Sequence, residues 1–312
     1  MNRDAPAASD PPTAPATATG RAPAKLIVTG EHSVVYGHPA LAVAVDRWTH
    51  VRLTRLESAQ PTTVRSRDTS PTPALVAALG TLIPASGVAV DISTDIPIGR
   101  GMGSSASLAL AAVRAWLALS SRKASFDAVN NQVFAIEQVF HGTPSGVDHG
   151  VMMRGGVVRF EKTSAGPRLQ AVPTPTLPLV VFDSGVAGCT RTLVADVRER
   201  SGTLQPVLDA IGALSRQIIS SIRTPAPLPH LGTLFTENHR LLRQLGVSTP
   251  TINRLVEFAL AHGALGAKLS GAGGGGVVIA LAPDPTPLLS AARSAGLTAF
   301  SVGVVPAAGT PS

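Results

Sequence analysis

The stretch Pro97-Ile98-Gly99-Arg100-Gly101-Met102-Gly103-Ser104-Ser105-Ala106 lies between an apolar, strand-like run and a long apolar run of helix-forming residues. Its three glycines, at every second position, allow positive φ and let backbone N–H groups approach an anion that side chains would otherwise block. The two serines begin the helical run, so the free N–H groups and the positive end of the helix dipole should point back at the glycines. The stretch therefore predicts a loop that binds an oligophosphate.

Two familiar phosphate-binding loops fit this stretch poorly. The string Gly-x-x-x-x-Gly-Lys-Ser/Thr of a P-loop does not occur in the chain. The dinucleotide fingerprint is met only loosely, as Gly101-x-Gly103-x-x-Ala106, and residues 120–125 are too polar for the second strand of a βαβ unit. An ordinary Gly-Ser turn between a strand and a helix stays open as an alternative, which the neighbouring motifs must decide.

The composition indicates a globular protein with a substantial core. Of 312 residues, 44% are apolar and only 14% are charged. The formal net charge of +7 favours anionic ligands, but the arginines are scattered singly and aromatic residues are scarce, which argues against a nucleic-acid-binding surface. Cys189 is the only cysteine, so no intrachain disulfide can form and a reducing, cytoplasmic location is expected.

No leader peptide or membrane anchor is expected. Residues 1–20 are rich in Pro, Ala and Thr and lack an apolar segment, which is typical of a disordered tail rather than a signal peptide. No uninterrupted apolar run reaches the ~18 residues that a membrane span requires. The sequence therefore predicts a protein without a membrane partner.

Two carboxylates follow the glycine-rich stretch. Apolar residues recur with helical spacing from Phe126 to Phe140, with Ser125 placed as the N-cap. Glu137 lies near the end of this predicted helix, where a carboxylate opposes the helix dipole; this indicates a neighbouring cation or metal unless the side chain is simply solvated. Asp148 follows in a Gly- and Pro-containing segment, where an Asx turn is the alternative. The pair suits phosphoryl transfer, with one carboxylate for Mg²⁺ and one for the attacking hydroxyl.

A second structural unit is expected beyond residues 164–178, whose Pro- and Thr-rich composition indicates a domain junction. Three helices are predicted there, near 193–222, 233–245 and 250–262, followed by a strand at 266–269. Residues 271–276 then hold five glycines in six positions, although each glycine costs up to ~1 kcal/mol in conformational freedom. This run predicts a backbone pressed against another element or a ligand, with a flexible hairpin tip as the alternative.

Three separated motifs in this order resemble those of the GHMP kinase superfamily. Residues 24–40, AKLIVTGEHSVVYGHPA, are similar to the first motif in the form typical of the mevalonate branch, and they lack the continuation after Glu-His that galactokinases have. Residues 97–106 match the second motif, with Met102 in place of the usual leucine. Residues 137–148, EQVFHGTPSGVD, look like the segment that carries the Mg²⁺ carboxylate and the catalytic aspartate. Residues 268–276, KLSGAGGGG, resemble the third motif, whose loop supports the nucleotide loop.

The resemblance runs from about residue 22 to 303 and implies a two-domain α+β fold. It implies an N-terminal domain like ribosomal protein S5 domain 2 and a ferredoxin-like C-terminal domain, with ATP and substrate bound between them. We therefore expect a disordered tail at 1–20, the N-terminal domain with the phosphate loop at 21–172, the C-terminal domain at 176–304 and a second tail at 305–312.

The resemblance also implies roles for individual residues. Asp148 would take the proton of the mevalonate 5-hydroxyl, Lys25 would steady the developing alkoxide, and Ser105 with Glu137 would hold Mg²⁺. The substrate would lie beside Glu31, His32, Thr190 and Gly273, although His32 could instead be a hydrogen-bonded core histidine. ATP would contact the loop residues Pro97, Gly99, Arg100, Gly101, Met102, Gly103, Ser104, Ser105 and Ala106.

The function implied by the resemblance is ATP-dependent phosphorylation of the 5-hydroxyl of mevalonate, a step of isoprenoid biosynthesis. A sister kinase acting on phosphomevalonate or another alcohol is the first alternative. A non-catalytic ligand- or RNA-binding module is the second, and the joint presence of Lys25, Glu137 and Asp148 argues against it. The expected partners are mevalonate and ATP, with no nucleic acid and no membrane, and a homodimer stays open.

Overall fold

The structure is a computed structural model that describes residues 15–68, 70–142, 144–163, 166–174, 177–188, 190–223 and 227–308. The chain forms two α+β domains, the first built on a six-stranded sheet and the second on a four-stranded sheet. The predicted fold class is confirmed. Within the described ranges, no helix combines the length and the apolar character needed to cross a bilayer.

Two long antiparallel strands organise the N-terminal domain. β1 (Thr17–Thr29) runs along one edge of β2 (Ala40–Arg55), and a short 3₁₀ turn at Ser33–Tyr36 lies between them. The other edge of β2 is shared by two strands that each continue the sheet with one more partner. The two strands that pair with β2 are β4 (Val88–Thr94) and β5 (Val157–Thr163). β3 (Thr63–Ser66) lies parallel to β4, and β6 (Gly166–Val172) lies antiparallel to β5.

The apolar run Ala40 to Val45 and the alternating run Trp48 to Leu56 each predict a strand, but the structure joins them in the single strand β2. The pairing with β1 passes from Ala24↔Val45 directly to Pro23↔Trp48, so two residues of β2 bulge out of the ladder without ending it. Asp46 in this bulge accepts a hydrogen bond from the backbone N–H of Gly303 (2.7 Å). The polar break that reads as a strand end is therefore a bulge stabilised by the C-terminal segment.

The described part of the N-terminal domain contains four helices: α1 (Pro73–Gly80), α2 (Ser104–Leu119), α3 (Phe126–His141) and α4 (Val147–Arg154). The alanine-rich side of α2 packs on β1 and β2 against residues such as Ala22, Val51 and Leu53. The Ser125 hydroxyl accepts a hydrogen bond from the N–H of Ala128 (3.2 Å), which confirms the predicted N-cap of α3. The sequence analysis did not predict helix α4. Its N-cap, Gly146, has a left-handed backbone conformation (φ 75°), and the helix begins directly after it.

The C-terminal domain has a four-stranded antiparallel sheet of β7 (Leu179–Asp183), β8 (Gly266–Ser270), β9 (Val277–Leu281) and β10 (Ala299–Val302). Their order, β10-β7-β9-β8, is the fourth, first, third and second strand of the domain, which is the ferredoxin-like arrangement. The predicted helix at 193–222 is interrupted at Arg200 and forms two helices. The helices of this domain are α5 (Thr190–Glu199), α6 (Ser201–Arg223), α7 (Leu228–Gln244), α8 (Pro250–Ala261) and α9 (Thr286–Ser294).

The expected domain limits need three corrections. Residues 17–20 pair with the far end of β2, so the N-terminal domain begins at Thr17 and not at residue 21; residues 1–14 lie outside the described part of the chain. The expected junction at 164–178 is shorter, because β6 occupies residues 166–172. The Val305 N–H donates to the Ala44 carbonyl (2.9 Å) and the Val305 carbonyl accepts from the Gly156 N–H (2.7 Å), so this segment packs on the N-terminal domain and is not a tail; residues 309–312 are not described.

The first half of β2 is buried on both faces. One set of its side chains, Leu41, Val43 and Val45, joins the core of the C-terminal domain. The alternate set, Ala40, Ala42 and Ala44, packs with α4. This double burial explains the unbroken apolar run, and it places β1, the neighbour of β2, at the boundary between the domains.

Gly232 on α7 packs against the backbone of Leu265 and Gly266 at the start of β8, and it supports a stability prediction. A Cβ at this position would lie 2.2 Å from the Leu265 carbonyl oxygen, so we expect Gly232→Ala to lower the free energy of unfolding by ~1–3 kcal/mol. The control is Gly202→Ala in α6, where a Cβ would meet no atom within 4 Å and the alanine should raise stability by up to ~1 kcal/mol. Urea titration of both variants tests this, and equal effects would contradict it.

Candidate active site

The glycine-rich loop ends at the N-terminus of α2 with its backbone in the predicted conformation. Gly99, Gly101 and Gly103 have φ of 72°, 79° and 75°, the left-handed region that favours glycine. A Cβ on Gly103 would lie 2.5 Å from the Met152 side chain and 3.2 Å from that of Lys25. Alternate glycines therefore serve two purposes here, since they permit the turn and let the loop pack closely on Lys25.

Contacts to both domains fix the loop. The backbone N–H of Lys25 donates to the Met102 carbonyl (3.0 Å), and the Met102 side chain is fully buried. Arg100 reaches the C-terminal domain, with Nε 2.9 Å from Asp183 Oδ1 and Nη2 donating to the Gly185 carbonyl (2.9 Å). Because Arg100 is paired and Met102 and Ala106 are buried, we expect these predicted ATP contacts to act through the backbone rather than through side chains.

The second glycine run, residues 271–276, packs behind the glycine-rich loop at residues 97–106. A Cβ on Gly276 would lie 2.9 Å from the Arg100 carbonyl, and one on Gly275 would lie 2.6 Å from the Val186 carbonyl. Gly273 packs against Val247, where a Cβ would lie 2.1 Å from the carbonyl oxygen. The prediction that this backbone is pressed against other elements is confirmed, whereas a substrate contact of Gly273 stays a prediction.

Lys25 and Asp148 meet beside the glycine-rich loop. Lys25 lies on β1 and Asp148 is the second residue of α4, and Lys25 Nζ is 3.3 Å from Asp148 Oδ1. The helix dipole favours a negative charge in this first turn. The lysine side chain is only 7% exposed, whereas that of the aspartate is 37% exposed. A hydroxyl from solvent can therefore reach the carboxylate while the ammonium group stays beside it.

Glu137 has the properties expected of a metal ligand. It is 4% exposed near the end of α3, and burial raises its pKa to about 7; Asp148 adds to this rise, whereas Ser105 and Lys25 oppose it. Glu137 Oε1 is buried and has no hydrogen-bond partner within the described residues. Mg²⁺ is commonly held by one or two carboxylates together with substrate phosphates, so a buried, unpartnered oxygen beside the Ser105 hydroxyl fits such an ion.

His141 is a neighbour of this pair that the sequence analysis did not identify. Its Nε2 lies 2.9 Å from the Ser105 hydroxyl and 4.0 Å from Glu137 Oε2. The available signal was its spacing, because residues four apart share one face of a helix and His141 follows Glu137 by four positions. The half-exposed imidazole therefore lies beside the candidate magnesium site.

Glu31 and His32 connect the first motif to the third. The Glu31 carboxylate forms an ion pair with the fully buried Lys268, which also donates to the Leu269 carbonyl (2.7 Å). His32 Nε2 lies 2.9 Å from the Ala272 carbonyl oxygen, and burial lowers the pKa of this histidine although the carbonyl and Glu31 oppose the shift. Both side chains thus have protein partners, and their expected substrate contacts stay predictions. Lys268 is the partner that the sequence analysis did not assign.

The remaining predicted substrate residue lies at the edge of the described structure. Thr190 is the first residue of α5, but its side chain is outside the described part, as is Cys189 entirely. Helix α5 nevertheless begins after the loop that follows β7. β7 ends at Asp183, which forms the ion pair with Arg100 of the glycine-rich loop. The role of Thr190 therefore stays a prediction.

The unusual ionisation of Glu137 predicts a pH-dependent stability. Its pKa of about 7 in the folded protein exceeds the ordinary 4.5, so the folded state holds an extra proton between these values and loses stability as pH rises through them. In metal-free, nucleotide-free buffer, Glu137→Gln should match the parent near pH 4.5 and exceed its free energy of unfolding by up to ~3 kcal/mol above pH 7. Denaturant titration across this range tests it, and a difference that does not vary with pH would contradict it.

Comparison with known proteins identifies relatives that align with most of the chain. The family model for the GHMP kinases N terminal domain matches residues 73–156, and that for GHMP kinases C terminal matches residues 228–299. The mevalonate kinases of Thermococcus sibiricus and Pyrococcus abyssi are 34% and 35% identical to the chain, and each alignment covers 84% of the chain and 88% of the relative. A crystal structure of the L. major mevalonate kinase in complex with R-mevalonate superposes with a TM-score of 0.85 at 25% identity, covering 96% of this chain and 99% of that one.

Proposed function

The chain belongs to the GHMP kinase family, and from this premise we propose that it transfers the γ-phosphate of ATP to the 5-hydroxyl of mevalonate at the site between its two domains. It acts as an ATP-dependent phosphotransferase with mevalonate as the acceptor. The contact between Lys25 Nζ and Asp148 Oδ1 (3.3 Å), beside a loop of left-handed glycines, is the observation on which the proposed mechanism depends.

The first step proposed is positioning of the acceptor. The mevalonate hydroxyl donates a hydrogen bond to the exposed side of the Asp148 carboxylate, which orients the oxygen lone pair toward the phosphorus atom. As the O–P bond forms and the bond to ADP breaks, the proton passes to Asp148 and later to solvent. Lys25, whose Nζ lies 3.3 Å from Asp148 Oδ1, offsets the negative charge that develops on the attacking oxygen.

The triphosphate is proposed to lie along the glycine-rich loop. Phosphoryl transfer asks the protein mainly to position groups and to neutralise charge on the transferred oxygens. The N-terminus of α2 supplies free backbone N–H groups and the positive end of a helix dipole for this purpose. The close packing of Gly276 on the Arg100 backbone and the ion pair of Arg100 with Asp183 restrain the loop when the anion binds.

Ser105 and Glu137 are proposed to hold Mg²⁺. A bound Mg²⁺ would supply positive charge that neutralises the phosphate oxygens. Glu137 must be ionised for this role, and the cation offsets the burial that raises the pKa of the carboxyl group to about 7. The unpartnered Oε1 of Glu137 is the atom that supports this assignment.

A coupled assay of ADP release tests the function directly. The purified chain is given ATP and Mg²⁺ with mevalonate, phosphomevalonate, homoserine or galactose as the acceptor. We expect turnover with mevalonate to exceed that with the other three acceptors and the acceptor-free hydrolysis. Preference for another acceptor would assign the chain to a different branch of the family, and no turnover with any acceptor would contradict the proposal.

Two further expectations concern the oligomeric state of the protein and its location in the cell. A homodimer is a prediction that light scattering of the purified chain tests, with a monomer as the contradicting result. The cytoplasmic location is likewise a prediction, based on a chain with a single cysteine.

A further inference from the structure

A cationic groove crosses the outer face of the N-terminal sheet. Strand residues alternate between the two faces of a sheet, and Val51 and Leu53 point toward α2. Their neighbours His50 and Arg52 therefore point the opposite way and are exposed. The groove has a volume of about 550 Å³ and is lined by Thr19, His50, Arg52, Arg65, Ser66, Arg67, Asp91, Ile92 and Ser93.

The strand register aligns these side chains in two neighbouring rows. One row crosses the sheet as Thr19, Arg52, Asp91 and Arg65, each residue paired with the next. The adjacent row contains His50 opposite Ser93, with Arg67 beyond them, its N–H bonded to the Ile92 carbonyl. Strands lie ~4.8 Å apart and alternate residues ~7 Å apart, so at least three cationic groups converge on a patch ~10 Å across.

These arginines have no protein partner in the part of the chain that the structure describes. No ion pair or side-chain hydrogen bond is formed there by Arg52, Arg65 or Arg67. Two other exposed arginines do pair with an adjacent acid: Arg200 with Asp196 and Arg240 with Glu237. The groove therefore holds like charges close together, and Asp91 is the one acid among its described lining residues, an arrangement that an anion would stabilise.

The groove's size and chemistry indicate the class of anion. A volume of about 550 Å³ lies within the range of small-molecule sites. None of the lining residues that the structure describes is aromatic, so these residues offer no stacking surface of the kind on which single-stranded nucleic acids bind. Guanidinium groups bind phosphate through two parallel hydrogen bonds, and the hydroxyls of Thr19 and Ser93 can donate further ones.

We propose that this groove binds a soluble small molecule that carries two or more phosphate groups. Arg52 and Arg65 bind the phosphates from opposite sides, and Arg67 and His50 lie next to them along the strands and extend the site. The groove lies on the face of the sheet opposite α2, whose N-terminus carries the glycine-rich loop. The site is therefore separate from the candidate active site, and both can be occupied at once.

Calorimetry with inorganic pyrophosphate tests the proposal on the full chain. The active site is first saturated with Mg²⁺ and the ATP analogue AMPPNP, so that only a second site can take up the probe. We expect one equivalent of pyrophosphate to bind, and the double variant Arg52→Ser/Arg65→Ser to lose at least about tenfold in affinity. The control pair Arg122→Ser/Arg168→Ser removes two exposed arginines outside the groove and should change the affinity less than about twofold.

Asp91 provides a second variant that separates binding from folding. Because this carboxylate lies between Arg52 and Arg65 in the register, Asp91→Asn should strengthen pyrophosphate binding severalfold. Absence of binding to the parent chain, or equal losses in both arginine pairs, would overturn the proposal. So would a finding that vesicles of phosphatidylglycerol or a single-stranded oligonucleotide, but not pyrophosphate, bind through Arg52 and Arg65.

Discussion

Asp148→Asn is expected to lower kcat by ~10²–10⁴-fold while leaving the Kd for ATP within a few-fold of the parent value. The amide keeps the shape of the side chain but can neither accept the acceptor's proton nor offset the charge of Lys25, 3.3 Å away. Because kcat and kcat/KM should fall together, the loss would mark an interaction made in the transition state. Steady-state kinetics with mevalonate and calorimetry with ATP measure the two quantities.

Asp127 offers a matched control for this substitution. It is the second residue of α3, as Asp148 is of α4, and it is exposed. Asp127→Asn therefore removes a carboxylate from the same position of a neighbouring helix without touching the Lys25 contact. Near-parent turnover by Asp148→Asn, or an equal loss in both variants, would show that Asp148 is not the proton acceptor.

The phosphate loop is the part of the site that the sequence predicts best, for a local reason. Positive φ at Gly99, Gly101 and Gly103 and a helix beginning at Ser104 are properties of consecutive residues. The meeting of Lys25 and Asp148, far apart in the chain, is a tertiary property. Only the resemblance to a family indicated it, and composition and periodicity alone did not.

The elements that were predicted wrongly share a physical cause. Residues 17–20 have the composition of a tail, yet they form a strand because β2 offers them a long edge. Asp46 reads as the end of a strand, yet the C-terminal segment stabilises it as a bulge. In each case a partner distant in sequence overrides local preference, which a single sequence does not reveal.

The same reasoning applies to the contacts that join the domains. Ser270 at the end of β8 accepts from the N–H of Ile27 and donates to its carbonyl (2.9 and 3.0 Å), and Arg100 reaches Asp183. The pairing of Glu31 with Lys268 belongs to this set and is the most deeply buried of them. These contacts across the domain boundary therefore hold the first motif and the glycine-rich loop, which border the candidate active site, against the C-terminal domain.

Lys268→Met is expected to lower the free energy of unfolding by ~3–5 kcal/mol, because it leaves the Glu31 carboxylate buried without a counter-charge. Glu31 Oε2 already has no hydrogen-bond partner within the described residues, so the variant would add a second unsatisfied oxygen to the same carboxylate. Urea titration measures the loss. Lys123→Met, which removes an exposed lysine from the loop before α3, is the control and should change stability by less than ~0.5 kcal/mol.

The double variant Glu31→Leu/Lys268→Met separates two explanations of that loss. If the cost comes from an isolated buried charge, removing the carboxylate as well should recover much of the stability, since apolar side chains of similar size can replace a buried ion pair. If the attraction between the two groups is itself the main contribution, the double variant should be no more stable than Lys268→Met. A single variant as stable as Lys123→Met would contradict both and would mean that water or another group reaches Glu31 when the lysine is absent.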